Sequence, residues 1–244
     1  MLAAAMVLLA LQTIPSHAQE ALSVNAERTV ARLVRYDVKP EHLPAFRKSV
    51  ARYVRHALTQ KRNLLSEAYY EIENPDRLWL IERWQSNEGL HQAERHARWK
   101  LLEEKSRVWL QAPAETIYLD DLEPLTKAEW RRKPAKEDEP ITIMLFVDSR
   151  EGTEDNFRNL YHTAMPQFRS EPGVINYQFS QVKNNPAQFV TYEKFRSQAA
   201  FDYHLNFPPI QPIIDYLNTS IRAQPFQQGL HRLKAFAAPG LKGY

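Results

Sequence analysis

The sequence predicts an α+β fold: two tandem ferredoxin-like units, each ordered β-α-β-β-α-β, with antiparallel sheets packed as an intramolecular dimeric α/β barrel. Three observations lead there. The chain matches itself at an offset of 111 residues, aligning Phe46-Arg47 with Phe157-Arg158, Asn74-Pro75 with Asn185-Pro186, Glu82 with Glu193 and Ser86 with Ser197. One offset shared by several separated positions indicates duplication. The same order of strand and helix patterns recurs in both copies. Finally, a sheet with both helices on one face leaves its other face bare, and two such sheets in one chain can bury those faces on each other.

In the first copy, Val30 to Val38 alternates as a strand, and Phe46, Val50, Tyr53, Val54 and Ala57 recur at helical spacing. Leu64 to Ile72 and Leu78 to Trp84 form a hairpin around the turn Asn74-Pro75-Asp76. Ser86 caps a helix expected to run to about Lys105, and Thr116 to Leu122 is the last strand. In the second copy, Ile141 to Val147 is a strand, and Phe157, Leu160, Tyr161, Ala164, Met165 and Phe168 mark a helix. Glu171-Pro172-Gly173 turns into strand Val174 to Val182, Asn184-Asn185-Pro186 turns again, and Gln188 to Phe195 returns. Ser197 opens a helix that Pro208 and Pro209 break in two, and Phe226 to Phe236 closes the unit. The units are thus 29–122 and 140–236, with a linker at 123–139 and a tail at 237–244. The linker carries charge and is punctuated by Pro124, Pro134 and Pro140, and its basic run Arg131-Arg132-Lys133 is read as solvated.

Composition removes several function classes. With no cysteine there is no disulfide scaffold, thiolate metal site, iron–sulfur cluster or cysteine nucleophile. The six glycines cannot be arranged into a phosphate-cradling loop, which argues against P-loop and dinucleotide-binding proteins. The 32 Lys+Arg residues are interspersed with 29 Asp+Glu, so no nucleic-acid partner is expected. His91 and His96 are five apart, which does not place two imidazoles on one helix face, and no metal is expected.

Met1 to Leu11 is an unbroken apolar run followed by Ser16-His17-Ala18. It reads as a signal peptide over 1–18, cleaved after Ala18, and implies a secreted or periplasmic protein. The run is shorter than the roughly 18–20 residues a bilayer span needs, so no span is expected after cleavage. No Lys or Arg precedes it, which leaves an upstream start codon or an uncleaved anchor as alternatives.

The segment Glu193-Lys194-Phe195-Arg196-Ser197-Gln198-Ala199-Ala200-Phe201-Asp202-Tyr203-His204, with Pro208 after it and Glu171-Pro172-Gly173 before it, resembles the antibiotic biosynthesis monooxygenase family of dimeric α/β barrels. The first copy keeps Glu82, Trp84 and Ser86 of that pattern and has Ala93 in place of the histidine. The resemblance implies an oxidoreductase that uses no flavin or metal, with molecular oxygen as co-substrate and a small aromatic or quinol-like ligand as partner. The electron-rich substrate, once deprotonated, reacts with oxygen itself.

An imidazole suits such deprotonation at neutral pH. The candidate catalytic residues are His204, Glu193 and Tyr192; the candidate substrate-binding residues are Phe195, Tyr203, Phe207, Tyr177 and Trp84. For Glu193 and Glu82 the competing role is a structural hydrogen bond to the neighbouring helix, and for Trp84 and Phe195 it is core packing. The oxygenase reading expects His204 to line an enclosed cavity; a space filled by Phe and Tyr side chains counts against it. One alternative is a tandem barrel that binds a small hydrophobic ligand without turnover, motivated by the histidine lost from the first copy. Another is haem binding or degradation, but neither copy holds the expected His, Trp and Asn together. Association of two chains as a homodimer is left open.

Overall fold

The structure, a computed structural model, describes residues 29–241. The signal-peptide segment 1–18 lies outside the described residues. The first half contains β1 (Val30–Asp37), α1 (Leu43–Thr59), β2 (Asn63–Glu71), β3 (Arg77–Trp84), α2 (Asn87–Glu94), α3 (Ala97–Trp109) and β4 (Glu115–Asp121). A short helix α4 (Lys127–Trp130) follows. The second half contains β5 (Ile141–Asp148), α5 (Glu154–Ser170), β6 (Val174–Val182), β7 (Asn185–Phe195), α6 (Gln198–Leu205), α7 (Gln211–Thr219) and β8 (Leu230–Ala237).

The eight strands close a barrel in the order β1-β3-β2-β8-β5-β7-β6-β4. Within each half the sheet is antiparallel, and the halves join where β2 pairs with β8 and β4 pairs with β6. Alternation along each strand sends one set of side chains inward and the other to the helices. Leu33, Tyr69, Trp79, Ile81, Met144, Val190, Tyr192 and Leu233 fill the barrel with residues from both halves. On the outside, Phe46, Val50 and Val54 of α1 pack on the first sheet, and Phe157, Tyr161 and Phe168 of α5 pack on the second.

Several sequence expectations need correction. The helix expected from Ser86 to Lys105 is two helices. Ser86 does cap the first, accepting from Gly89 N, but His96 is extended and its ring nitrogen accepts from Arg98 N, capping a second start. The linker is not simply solvated. Thr126 and Glu129 form a reciprocal capping box for α4, which drives Trp130 into the barrel to 1% exposure. Arg131 donates to the carbonyls of Leu64 and Asn63, tying the basic run to β2. The last strand begins at Leu230, because Phe226–Gly229 forms a 3-10 turn.

Candidate functional site

Each half carries a glutamate at the same place on its third strand, Glu82 on β3 and Glu193 on β7, facing the helix layer. Both are buried. A buried carboxylate requires a cation or several donors, and the halves meet that need differently.

In the first half, Arg32 of β1 sits opposite Glu82 and donates to it at 2.6 and 2.8 Å. Tyr53 of α1 donates at 3.0 Å, Ser66 at 2.8 Å and Trp84 at 3.3 Å. The guanidinium also pairs with Glu94 and lies over the Trp99 ring. Glu82 is thereby fully engaged, and Trp84 belongs to this half's core rather than to any site around His204.

In the second half, Ile143 faces Glu193 where the first half has Arg32, and the positions matching Tyr53, Ser66 and Trp84 hold Ala164, Tyr177 and Phe195. No guanidinium is available. On α6, His204 replaces Ala93 of the first half, and its Nδ1 lies 2.7 Å from Glu171 Oε1. Burial pushes the Glu193 carboxyl above its usual range, partly offset by His204, Thr191 and Tyr177. Thr191 donates to it at 2.6 Å. Burial likewise raises the hydroxyls of Tyr161 and Tyr177, with Glu193 adding to the effect.

A local feature makes this cluster possible. The turn after α5 brings Glu171 under α6, where a Cβ on Gly173 would lie 2.3 Å from Ala200 Cβ, so glycine permits the approach. His204 is 1% exposed, with Phe168, Tyr177 and Phe195 rings at 4.7, 5.2 and 5.2 Å. Its Nε2 and Glu171 Oε2 are buried without a hydrogen-bond partner. Aromatic side chains therefore fill the space around His204, where an enclosed cavity was expected.

The structure also separates residues that the sequence grouped. Tyr203 is 54% exposed and stacks on Phe207, because neighbouring positions on a helix point about 100° apart and His204 takes the inner one. Tyr192 precedes Glu193 on β7 and so faces the barrel interior. There its hydroxyl donates to Glu67 at 2.5 Å and meets the Tyr69 hydroxyl at 2.7 Å, while Lys194 Nζ bonds both Glu67 oxygens at 2.7 and 2.9 Å. Tyr192 thus belongs to a network joining the two halves, apart from His204. Of the predicted residues, His204, Glu193, Tyr177 and Phe195 come together. Sequence reasoning missed Glu171 as the imidazole's partner; the signal was present in the turn motif, but nothing local linked residues 33 positions apart.

The first half's helix layer also holds a recess. A cavity of about 240 Å³ lies between β1 and α3, walled by Val34, Tyr36, Trp99 and Leu102. Among the described residues, no cluster of His, Asp and Glu suits a metal ion, and no helix is long and apolar enough to cross a membrane.

A family model described as antibiotic biosynthesis monooxygenase matches residues 29–105 and 140–215. The fold is similar to that of a provisionally named monooxygenase from Fusobacterium nucleatum (TM-score 0.75, 10% identity, 87% of this chain and 94% of that one). It is also similar to one from Lactobacillus acidophilus (0.72, 12%, 88% and 98%) and to an anthrone oxidase-like protein (0.58, 10%, 89% and 96%). In sequence, the chain is 26% identical over 96 residues to an uncharacterized Synechocystis protein, a match covering 39% of this chain and 65% of that relative's length.

Proposed function

The chain belongs to the antibiotic biosynthesis monooxygenase family, and from that premise we propose that it oxidises a quinol or polycyclic phenol with molecular oxygen and no bound cofactor. The observation that carries the reading is the difference between the halves. Glu82 is neutralised by arginine, whereas Glu193 shares its site with an imidazole that can take up and release a proton. With Nδ1 directed at Glu171, Nε2 becomes the acceptor for a phenolic proton once the Phe168, Tyr177 and Phe195 rings that now fill the space part to admit substrate, and Glu171 stabilises the imidazolium that forms. The phenolate then reduces oxygen: a phenol loses its O–H and one ring hydrogen as that ring C–H becomes C=O, a quinol loses its two O–H hydrogens as a ring C–H becomes C–OH, and in both the second oxygen atom leaves as water with the two hydrogens lost. Glu193, which burial favours in its protonated form, is the proposed partner for a proton during that loss.

Oxygen uptake with a panel of quinols and polycyclic phenols tests the reading. His204→Ala is expected to lower the rate by about a hundredfold or more; unchanged uptake removes His204 from the reaction. The second reading is binding of a small hydrophobic ligand without turnover, favoured by the aromatic packing around His204 and by the first-half cavity beside Tyr36 and Trp99. Saturable binding with no product supports that reading instead. We further propose export, from the apolar run at the N-terminus. Fractionation of expressing cells should place the protein outside the cytoplasm, shortened by cleavage after Ala18.

A further inference from the structure

A second imidazole–carboxylate pair lies at one mouth of the barrel, and it is open. His231 of β8 is 22% exposed, with Nδ1 3.0 Å from Glu71 Oε1 at the end of β2. The same oxygen accepts from Trp79 Nε1 at 2.8 Å. Because a carboxylate only accepts, His231 donates through Nδ1 when neutral, which leaves Nε2 as a free acceptor. Arg77 stands 3.8 Å from the other Glu71 oxygen and helps keep the carboxylate ionised.

The mouth is open for a topological reason. Leu119–Asp121 of β4 pairs with β6, and Tyr118 O still accepts from Lys183 N just beyond β6, while Glu115 to Ile117 pair with β1 alone. The two strands part there, and a cavity of about 370 Å³ enters between them, lined by His231, Trp79, Phe146, Tyr118, Ile117 and Val182 among others. Its volume is within the range of small-molecule sites, and barrel mouths are a common location for them. The His231 ring meets Trp79 and Phe146 edge-on at 5.7 and 5.6 Å, which fixes its orientation.

We propose that this mouth is a binding site for planar, one- to two-ring phenols, whose hydroxyl donates to His231 Nε2 while the ring lies against Phe146, Ile117 and Val182. The site is distinct from the His204 cluster and does not depend on the oxygenase reading. The lining is mixed, with Arg35, Glu115, Asn184 and Gln188 also on it, but the acceptor that Glu71 orients, His231, stands against the aromatic side formed by Trp79 and Phe146, and this pairing takes a ligand carrying a donor on an aromatic body.

Calorimetric titration of the full chain with 2-naphthol, and with 2-methoxynaphthalene as the same ring system lacking the hydroxyl proton, tests it. The expected result is saturable binding at one site, with 2-naphthol favoured about fivefold, the worth of one partly solvated hydrogen bond. His231→Leu, which removes the acceptor, should erase that preference, and Val182→Trp, which fills the mouth, should weaken both ligands. Circular dichroism checks that both variants are folded. Absence of binding, equal affinity for the two compounds in the unmodified protein, or a preference that survives His231→Leu overturns the proposal. Oxygen uptake measured on the same samples keeps the two ideas apart: hydroxyl-dependent binding without uptake supports this site and counts against the oxygenase.

Discussion

Glu82 and Glu193 occupy one strand position in two copies of a fold, yet their replacement by glutamine should act in opposite directions. Glu82→Gln leaves the Arg32 guanidinium buried with only Glu94 as counter-charge, and loss of one partner from a buried pair costs about 3–5 kcal/mol. Glu193 has no such cation, and burial raises its pKa in the folded chain. In the unfolded chain it ionises at about 4.3. As pH rises from there toward the raised folded value, the unfolded state releases a proton that the folded state still holds, so stability falls across that window. Glu193→Gln should therefore flatten this decline and raise the melting temperature near neutral pH. Melting curves of the two variants between about pH 4 and 8 check both signs; a Glu193→Gln protein that loses as much stability as Glu82→Gln contradicts the unequal compensation. Much of this contrast was legible in the sequence, since the repeat aligns His204 with Ala93. What was not legible is which neighbours face the same way. Tyr192 and Glu193 are adjacent in sequence and point to opposite faces, and only the register of β7 against β5 and β6 decides which faces the barrel.

At the scale of elements, the sequence pattern located all eight strands and the long helices, through an apolar stripe in most of them, although β4 buries only Leu119. The errors fell where a few polar contacts override pattern. His96 restarts a helix by accepting from Arg98 N, and a capping box of two residues folds part of a segment that composition marked as linker. The second case has energetic weight. Trp130, delivered by the single turn of α4, packs on Tyr192 at 6.0 Å with Arg83 over its ring at 5.0 Å, and so closes one end of the barrel core. Trp130→Ala removes a fully buried indole, for which about 3–5 kcal/mol is expected. Denaturant unfolding should show a lowered midpoint with the slope retained. If the linker were only a tether, the same substitution would leave the midpoint unchanged.

For the whole molecule, duplication explains why neither half is complete. A half folded alone would present β2 and β4 as unpaired edges, since their partners β8 and β6 belong to the other half. It would also expose the inward face of its sheet, where Leu33, Tyr69 and Ile81 now meet Met144, Val190 and Tyr192. The buried bond from Lys194 to Glu67 crosses the same boundary, so separation strands a carboxylate whose cation lies on the other half. These costs coincide at one surface, which predicts that the first unit, residues 29–122, does not persist as a folded monomer. It should pair with itself, using the symmetry that the repeat retains, or aggregate through its edges. Mixed with the remainder of the chain, it should form a one-to-one complex in preference to either self-associated state, because the Glu67–Lys194 bond and the seat of Arg83 over Trp130 join residues of the two fragments. Size-exclusion chromatography with light scattering on the separate and combined fragments distinguishes these states. A monomeric first unit with cooperative unfolding would mean that the halves are independent domains joined by convenience, and the shared barrel core would lose its role in holding the molecule together.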